Sequence, residues 1–152
     1  MDIERKFEII RNYAKDIVNC ISASDYENMV KIFTDIGSWD LDLISEVFEK
    51  YKEDNNYKKI DCYGYELKNK PKYFNAIYKQ DAFFVINDTN EKEISYDYEL
   101  SSDGELIDLR LLLTFIFNDD NIEVIFEPGL GVWIRVMEGW YLTYETAGKF
   151  YN

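Results

Sequence analysis

The hydrophobic period of this chain changes once, at Asp54-Asn55-Asn56, and that change constrains the fold more than any other feature. Before it, apolar residues recur every three to four positions, the spacing of a buried helical stripe. After it they alternate with polar ones, the spacing of strands. A chain that places helices first and strands afterwards predicts an α+β architecture, with the N-terminal helices packed on a curved, mostly antiparallel sheet.

The first stripe, Ile3, Phe7, Ile10, Ala14, Ile17 and Ile21, predicts a helix over residues 3–21. Ser24-Asp25-Tyr26-Glu27 reads as a capping box, with Ser24 capping a second, shorter helix that turns Met29, Val30, Phe33 and Ile36 inward. Gly37 suits a helix end, and Ser38 or Asp40 can cap a third helix running to Glu53 on Leu41, Ile44, Phe48 and Tyr51.

Period-two segments predict strands at 58–67, 72–79, 82–87, 93–100, 106–117, 121–127, 132–137 and 140–146. Turns are expected at Ser101-Ser102-Asp103-Gly104, Asn118-Asp119-Asp120-Asn121 and Pro128-Gly129-Leu130-Gly131. In the segment 106–117, Leu109, Leu111, Leu113, Phe115 and Phe117 share one face while Leu112 and Ile116 take the other. Apolar residues on both faces place this strand at the centre of the sheet. With 152 residues, 47% of them hydrophobic, the chain suits one domain over 1–152, helical in 1–54 and sheet in 57–146.

The order of elements, and the run from Tyr96-Asp97-Tyr98-Glu99-Leu100 through Gly104-Glu105-Leu106-Ile107-Asp108-Leu109-Arg110-Leu111 to Ile122-Glu123-Val124, resembles the nuclear transport factor 2-like (SnoaL-like) fold. The resemblance covers residues 1–127. It implies a cone-like sheet, and a place among small bacterial proteins that include immunity proteins, which neutralise toxins, and enzymes with a polar pocket inside the cone.

Net charge is −13, and it is unevenly spread. Residues 1–80 hold 15 acids and 13 bases, whereas 81–127 hold 13 acids against Lys92 and Arg110 alone. Glu93, Asp97 and Glu99 recur at strand spacing on one face, joined by Asp103, Glu105, Asp119, Asp120 and Glu123. Such a surface keeps a protein soluble, and it also steers and docks a basic protein, so these eight acids are the candidate partner-binding residues. Clustered Lys and Arg, which phosphate binding requires, are lacking over that stretch, and this disfavours nucleic acid as a ligand. Asp108 and Arg110 share a strand face and are expected to satisfy each other.

Several chemistries lose their support. With no histidine there is no imidazole triad and the commonest metal ligand is missing, and no phosphate-cradling glycine loop is present, so no cofactor is expected. Cys20 and Cys62 lie outside any CxxC pattern and are expected as buried thiols. A pocket carboxylate beside a tyrosine could still serve as a base, with Asp61–Tyr63 and Asp97–Tyr98 as the neighbours to test. Aromatic anchors outside the acidic face would be Trp133, Trp140 and Tyr141, beside Gly129 and Gly131. No apolar run spans a bilayer, and Met1-Asp2-Ile3-Glu4-Arg5-Lys6 lacks a secretory layout, so a cytoplasmic protein is expected. The combined expectation is a non-catalytic, acidic immunity-type protein that inhibits a basic, nuclease-like toxin domain. Its alternatives are a SnoaL-like isomerase or dehydratase, or an acidic mimic of nucleic acid. Oligomeric state stays open.

Overall fold

Asp2 starts the first helix, its carboxylate accepting the Arg5 N–H at 2.8 Å. The computed structural model describes residues 1–72, 74 and 79–126, together with the backbone of 132–136, 139–142 and 150–151. Helix α1 spans Ile3–Ser22 and buries Ile10, Ala14, Ile17, Val18 and Ile21 completely, which is the stripe its sequence carries. Helix α2 spans Tyr26–Ile32. Its cap is Asp25, not Ser24 as expected: Asp25 accepts from the Asn28 N–H, while Ser24 adopts φ 54° and its hydroxyl accepts from Lys52 Nζ at 3.0 Å. A residue already in the left-handed region cannot present the extended backbone that a cap needs. Helix α3 spans Leu41–Asp54 from an Asp40 cap and buries Ile44, Val47, Phe48 and Tyr51. Tyr26 locks α2 to α3, stacking on Phe48 at 5.6 Å and hydrogen-bonding Glu49 through its hydroxyl.

Residues 58–67 were expected as a strand and are not one. Their main chain is satisfied piecemeal: Asp61 N donates to Ser101 O at 2.8 Å, Tyr63 N to the Asn19 side chain at 2.9 Å, and Gly64 N to the Tyr98 hydroxyl at 2.9 Å. Gly64, at φ 72°, breaks the extended path. The same irregular course leaves Cys62 exposed, against the expectation of a buried thiol, while Cys20 is half-buried. The expected strand 72–79 falls largely outside the described residues, and 72, 74 and 79 are not strand.

The sheet comprises β1 Asp81–Val85, β2 Glu93–Ser102, β3 Glu105–Phe117, β4 Ile122–Phe126, β5 Val132–Val136, β6 Gly139–Leu142 and β7 Phe150–Tyr151. All its pairings are antiparallel, and β3 is central as expected: β2 takes one edge, and β4 and β5 follow one another along the other. Leu113 pairs with Phe126 of β4 and Leu111 with Val132 of β5, and residues 127–131 lie outside the described residues. The expected turn at Pro128–Gly131 falls there, and 137 and 143–146 of the last two expected strands are likewise outside the described residues. Among the described residues the sheet does not close on itself, and β1 is its first edge. Beyond β4, the chain after α2 supplies a short extension, with Thr34 N donating to Val124 O and Phe126 N to Asp35 O.

The core lies between the helices and one sheet face. Ile94, Tyr96, Tyr98 and Leu100 of β2, the odd-numbered residues Leu109 to Phe117 of β3, and Val124 and Phe126 of β4 all bury there. Each such Leu or Phe contributes about 1.5–3 kcal/mol relative to exposure. The architecture is thus α+β, with three N-terminal helices against an antiparallel sheet.

Candidate functional site

The even-numbered face of β3 and the odd-numbered face of β2 point away from the helices, and there the expected row of carboxylates is found in a different state. Asp97 and Glu99 are buried, at 8% and 1% exposure, and Arg110 is buried with them. Arg110 is the register partner of Glu99 and lies diagonally across from Asp97. Its Nε donates to Asp97 Oδ1 at 2.7 Å, and its Nη1 stands 3.8 Å from Glu99 Oε1. The two acids are therefore structural ions and not a solvated docking rim. The expected Asp108–Arg110 pair is corrected as well, since Asp108 is exposed and the guanidinium goes to the neighbouring strand.

Glu93 and Glu123 are half-buried on either side of Ile116 in the register. Glu123 accepts from Asn118 Nδ2 at 2.8 Å and so tethers the β3–β4 turn. That turn closes with Asn118 N donating to Asn121 O at 2.9 Å and a 3.0 Å bond between the two side chains, which leaves Asp119 and Asp120 exposed at its tip.

The β1–β2 loop sits at the same end of the sheet, because Phe117 N donates to Lys92 O at 2.8 Å. Asp88, Asn90 and Glu91 all take left-handed φ values, 62°, 59° and 60°. For Glu91 this conformation is uncommon, and the loop holds it with specific bonds. Thr89 Oγ1 donates to Ile86 O at 2.7 Å, and Lys6 Nζ reaches from α1 to Glu91 O at 2.5 Å while lying over the Phe117 ring at 5.3 Å. Asp88, Glu91, Asp119 and Asp120 thus project from two braced turns at one end. An open cleft of ≈ 550 Å³ between Lys6, Tyr13 and Asn118–Ile122 lies beside them. Asp88, Glu91 and the bracing Lys6 were missed in the sequence, where Asn87-Asp88-Thr89-Asn90 carried a turn signal and nothing more.

Asp103 and Glu105 occupy the opposite end, at the β2–β3 hairpin. Asp103 (φ 51°) and Gly104 (φ 78°) form its two-residue turn. Beneath it the buried Asp61 accepts from Ser101 Oγ at 2.8 Å, Asp103 N at 2.9 Å and Gly104 N at 2.8 Å. Asp103 also pairs with Lys68 at 3.1 Å. The eight acids therefore do not form one surface: two sit at each end, two flank Ile116, and two are buried. Trp133 is the register partner of Arg110, Trp140 pairs with Arg135, and Tyr141 with Ile134, while their side chains, with Gly129 and Gly131, lie outside the described residues.

Neither expected catalytic pair is assembled. Asp61 is committed to the hairpin, and Asp97 lies on the sheet face away from Tyr98. Tyr63 instead meets Tyr96 at 3.1 Å, and Tyr96 donates to Asp81 Oδ2 at 2.8 Å, where Arg11 Nε also donates at 3.0 Å. Burial, reinforced by the Asp81 charge, pushes the Tyr96 phenol far above its ordinary range, and burial raises Tyr63 and Tyr98 too. An open cleft of ≈ 700 Å³ nearby is lined by Tyr65, Phe74, Lys70, Lys79 and Glu66, with no Asp among its described residues. Among the described residues, no group of His, Cys, Asp and Glu is placed to hold a metal ion, and no helix is long and apolar enough to cross a membrane.

Comparison with protein-family models, with curated proteins and with solved structures finds no match to this chain.

Proposed function

We propose that the protein acts by binding, and that its partner is a basic protein docked at the end of the sheet where Asp88, Glu91, Asp119 and Asp120 project. The observation that carries this reading is the bracing of those exposed carboxylates on turns held by Lys6, Thr89, Asn118 and Asn121. A turn whose main chain is already held loses less freedom on association, so a preorganised acidic end converts more of its contact energy into affinity. The excess of negative charge at this end, four exposed carboxylates against Lys92, also raises the rate of encounter with a basic surface.

Within this proposal the protein is a cytoplasmic inhibitor of the immunity type, covering a basic toxin domain, and its likeness to nuclear transport factor 2-like proteins belongs to the same reading. The test is protection. Any basic toxin domain encoded beside this chain is expressed with and without it, and rescue of growth together with co-purification of the pair is expected. Undiminished lethality with both proteins present overturns the reading. Displacement of the partner by DNA, with binding retained by a catalytically inactive toxin, would identify the acidic end as a mimic of nucleic acid.

A further inference from the structure

Strand β1 leaves one edge of the sheet without a strand partner among the described residues, and it carries the main exposed apolar patch of the described sheet. Phe84, Val85 and Ile86 are 50%, 39% and 37% exposed. Which backbone groups face outward follows from the register. Ile86 N donates to Glu93 O, and Glu99 N donates to Gln80 O, so the even-numbered residues turn their main-chain groups toward β2. By alternation Asp81, Phe83 and Val85 turn theirs away from it. A bare edge of this kind is a template for another strand.

We propose that this edge is the contact between two copies of the chain, β1 pairing antiparallel with β1 about a two-fold axis at Phe83. That register matches every outward residue with another: Phe83 with Phe83 of the second copy, and Asp81 with Val85 in both directions. It is the isologous arrangement that closed dimers use.

The charges flanking the strand choose both the occupant and the direction. Lys79 is exposed just before β1, and Asp88 is exposed just after it. Antiparallel self-pairing brings Lys79 of each copy to the Asn87–Asp88 end of the other, so opposite charges meet at both ends. A parallel partner would set like against like. On the outer face, Phe84 of one copy falls beside Ala82 of the second and covers the ring that is otherwise half in water. The net charge of −13 on each copy opposes approach, but at physiological salt the screening length is about 8 Å, which damps repulsion between charges lying farther apart than that.

Sedimentation equilibrium of the purified chain at physiological salt, from micromolar to submillimolar concentration, tests the proposal. The expected result is an apparent mass that doubles over this range, with hydrogen-exchange protection growing at the Asp81, Phe83 and Val85 amides and not at Ala82 or Phe84. Val85→Pro removes an outward donor while leaving the β1–β2 ladder intact, so it should abolish the dimer with an unchanged circular dichroism spectrum. Lys79→Glu and Asp88→Lys should each weaken the dimer and together restore it, which reads the pairing direction without depending on the proline variant. A monomer at every concentration overturns the proposal. So does a dimer that persists in Val85→Pro with those amides unprotected.

Discussion

Arg110 and Asp97 meet across the β2–β3 ladder, Nε to Oδ1 at 2.7 Å, on the sheet face that the helices do not cover. With Glu99 alongside, three charges are held almost out of water. Removing two carboxylates from solvent is costly, and the guanidinium bonded to Asp97 and close to Glu99 offsets part of that cost. Arg110→Ala is therefore expected to lower stability by about 3–5 kcal/mol, the usual cost of breaking a buried ion pair by removing one member. Replacing all three together by Arg110→Met, Asp97→Leu and Glu99→Leu should cost far less, since a well-packed apolar substitute is often neutral. Urea denaturation of the single and triple variants gives the comparison, and a single-variant loss below about 1 kcal/mol would show that water reaches the triad.

The same triad marks the boundary of what the sequence discloses. Alternation showed that Asp97 and Glu99 share a face, but it is silent on whether that face is covered and on which residue of the next strand stands opposite. The Glu99–Arg110 register and the diagonal reach to Asp97 are tertiary facts. The helices were legible because each buries a single stripe, and β3 because both of its faces are apolar. Residues 58–67 misled because Ile60, Cys62 and Leu67 among polar neighbours imitate a strand, whereas their hydrogen bonds go to Asn19, Tyr98 and Ser101, at long separations no local pattern encodes. Ser24 and Asp25 are both good caps by type, and only the left-handed φ of Ser24 decides between them.

Asp61 governs the β2–β3 hairpin from outside it. Its carboxylate accepts two main-chain N–H groups of the turn and the Ser101 hydroxyl, so Asp61→Ala strands buried donors. The expected loss is about 1–3 kcal/mol. Gly104→Ala should act on the same turn by another route, because φ is 78° and a Cβ would stand 3.0 Å from Glu66 O. Thermal unfolding of both variants checks this. A Gly104→Ala protein as stable as the parent would mean that the turn relaxes freely.

Tyrosine ionisation sets an alkaline limit. Burial raises the phenols of Tyr26, Tyr63, Tyr96 and Tyr98, with Glu49 adding to the effect at Tyr26 and Asp81 at Tyr96. A pKa raised on folding contributes stability that is fully present below the unfolded value of about 10 and is lost as pH climbs above it. The protein should therefore unfold cooperatively in strong alkali, with tyrosinate absorbance appearing together with loss of ellipticity. Tyrosinate from all thirteen residues appearing while ellipticity is retained would contradict the burial of these rings.

The last prediction separates the two acidic ends. Asp119 and Asp120 sit at the tip of a turn whose brace does not involve their own carboxylates, so Asp119→Lys with Asp120→Lys changes charge and leaves the Asn118–Asn121 and Asn118–Glu123 bonds in place. Glu105→Lys with Asp108→Lys makes the same change of charge at the hairpin end. All four residues are exposed, so each substitution should alter stability by no more than about 0.5 kcal/mol. If the partner docks where the Lys6-braced loop and the β3–β4 turn converge, the first pair should slow association by about tenfold or more at low salt and flatten its dependence on ionic strength. The second pair should leave both nearly unchanged. Asn118→Ala completes the comparison: it keeps every charge but frees the tip, so the association rate should hold while dissociation quickens, because a preorganised contact loses its rigidity and not its field. Surface plasmon resonance at two salt concentrations measures all three. Equal slowing by both charge pairs would mean that the partner responds to net charge alone and that neither end is its docking site.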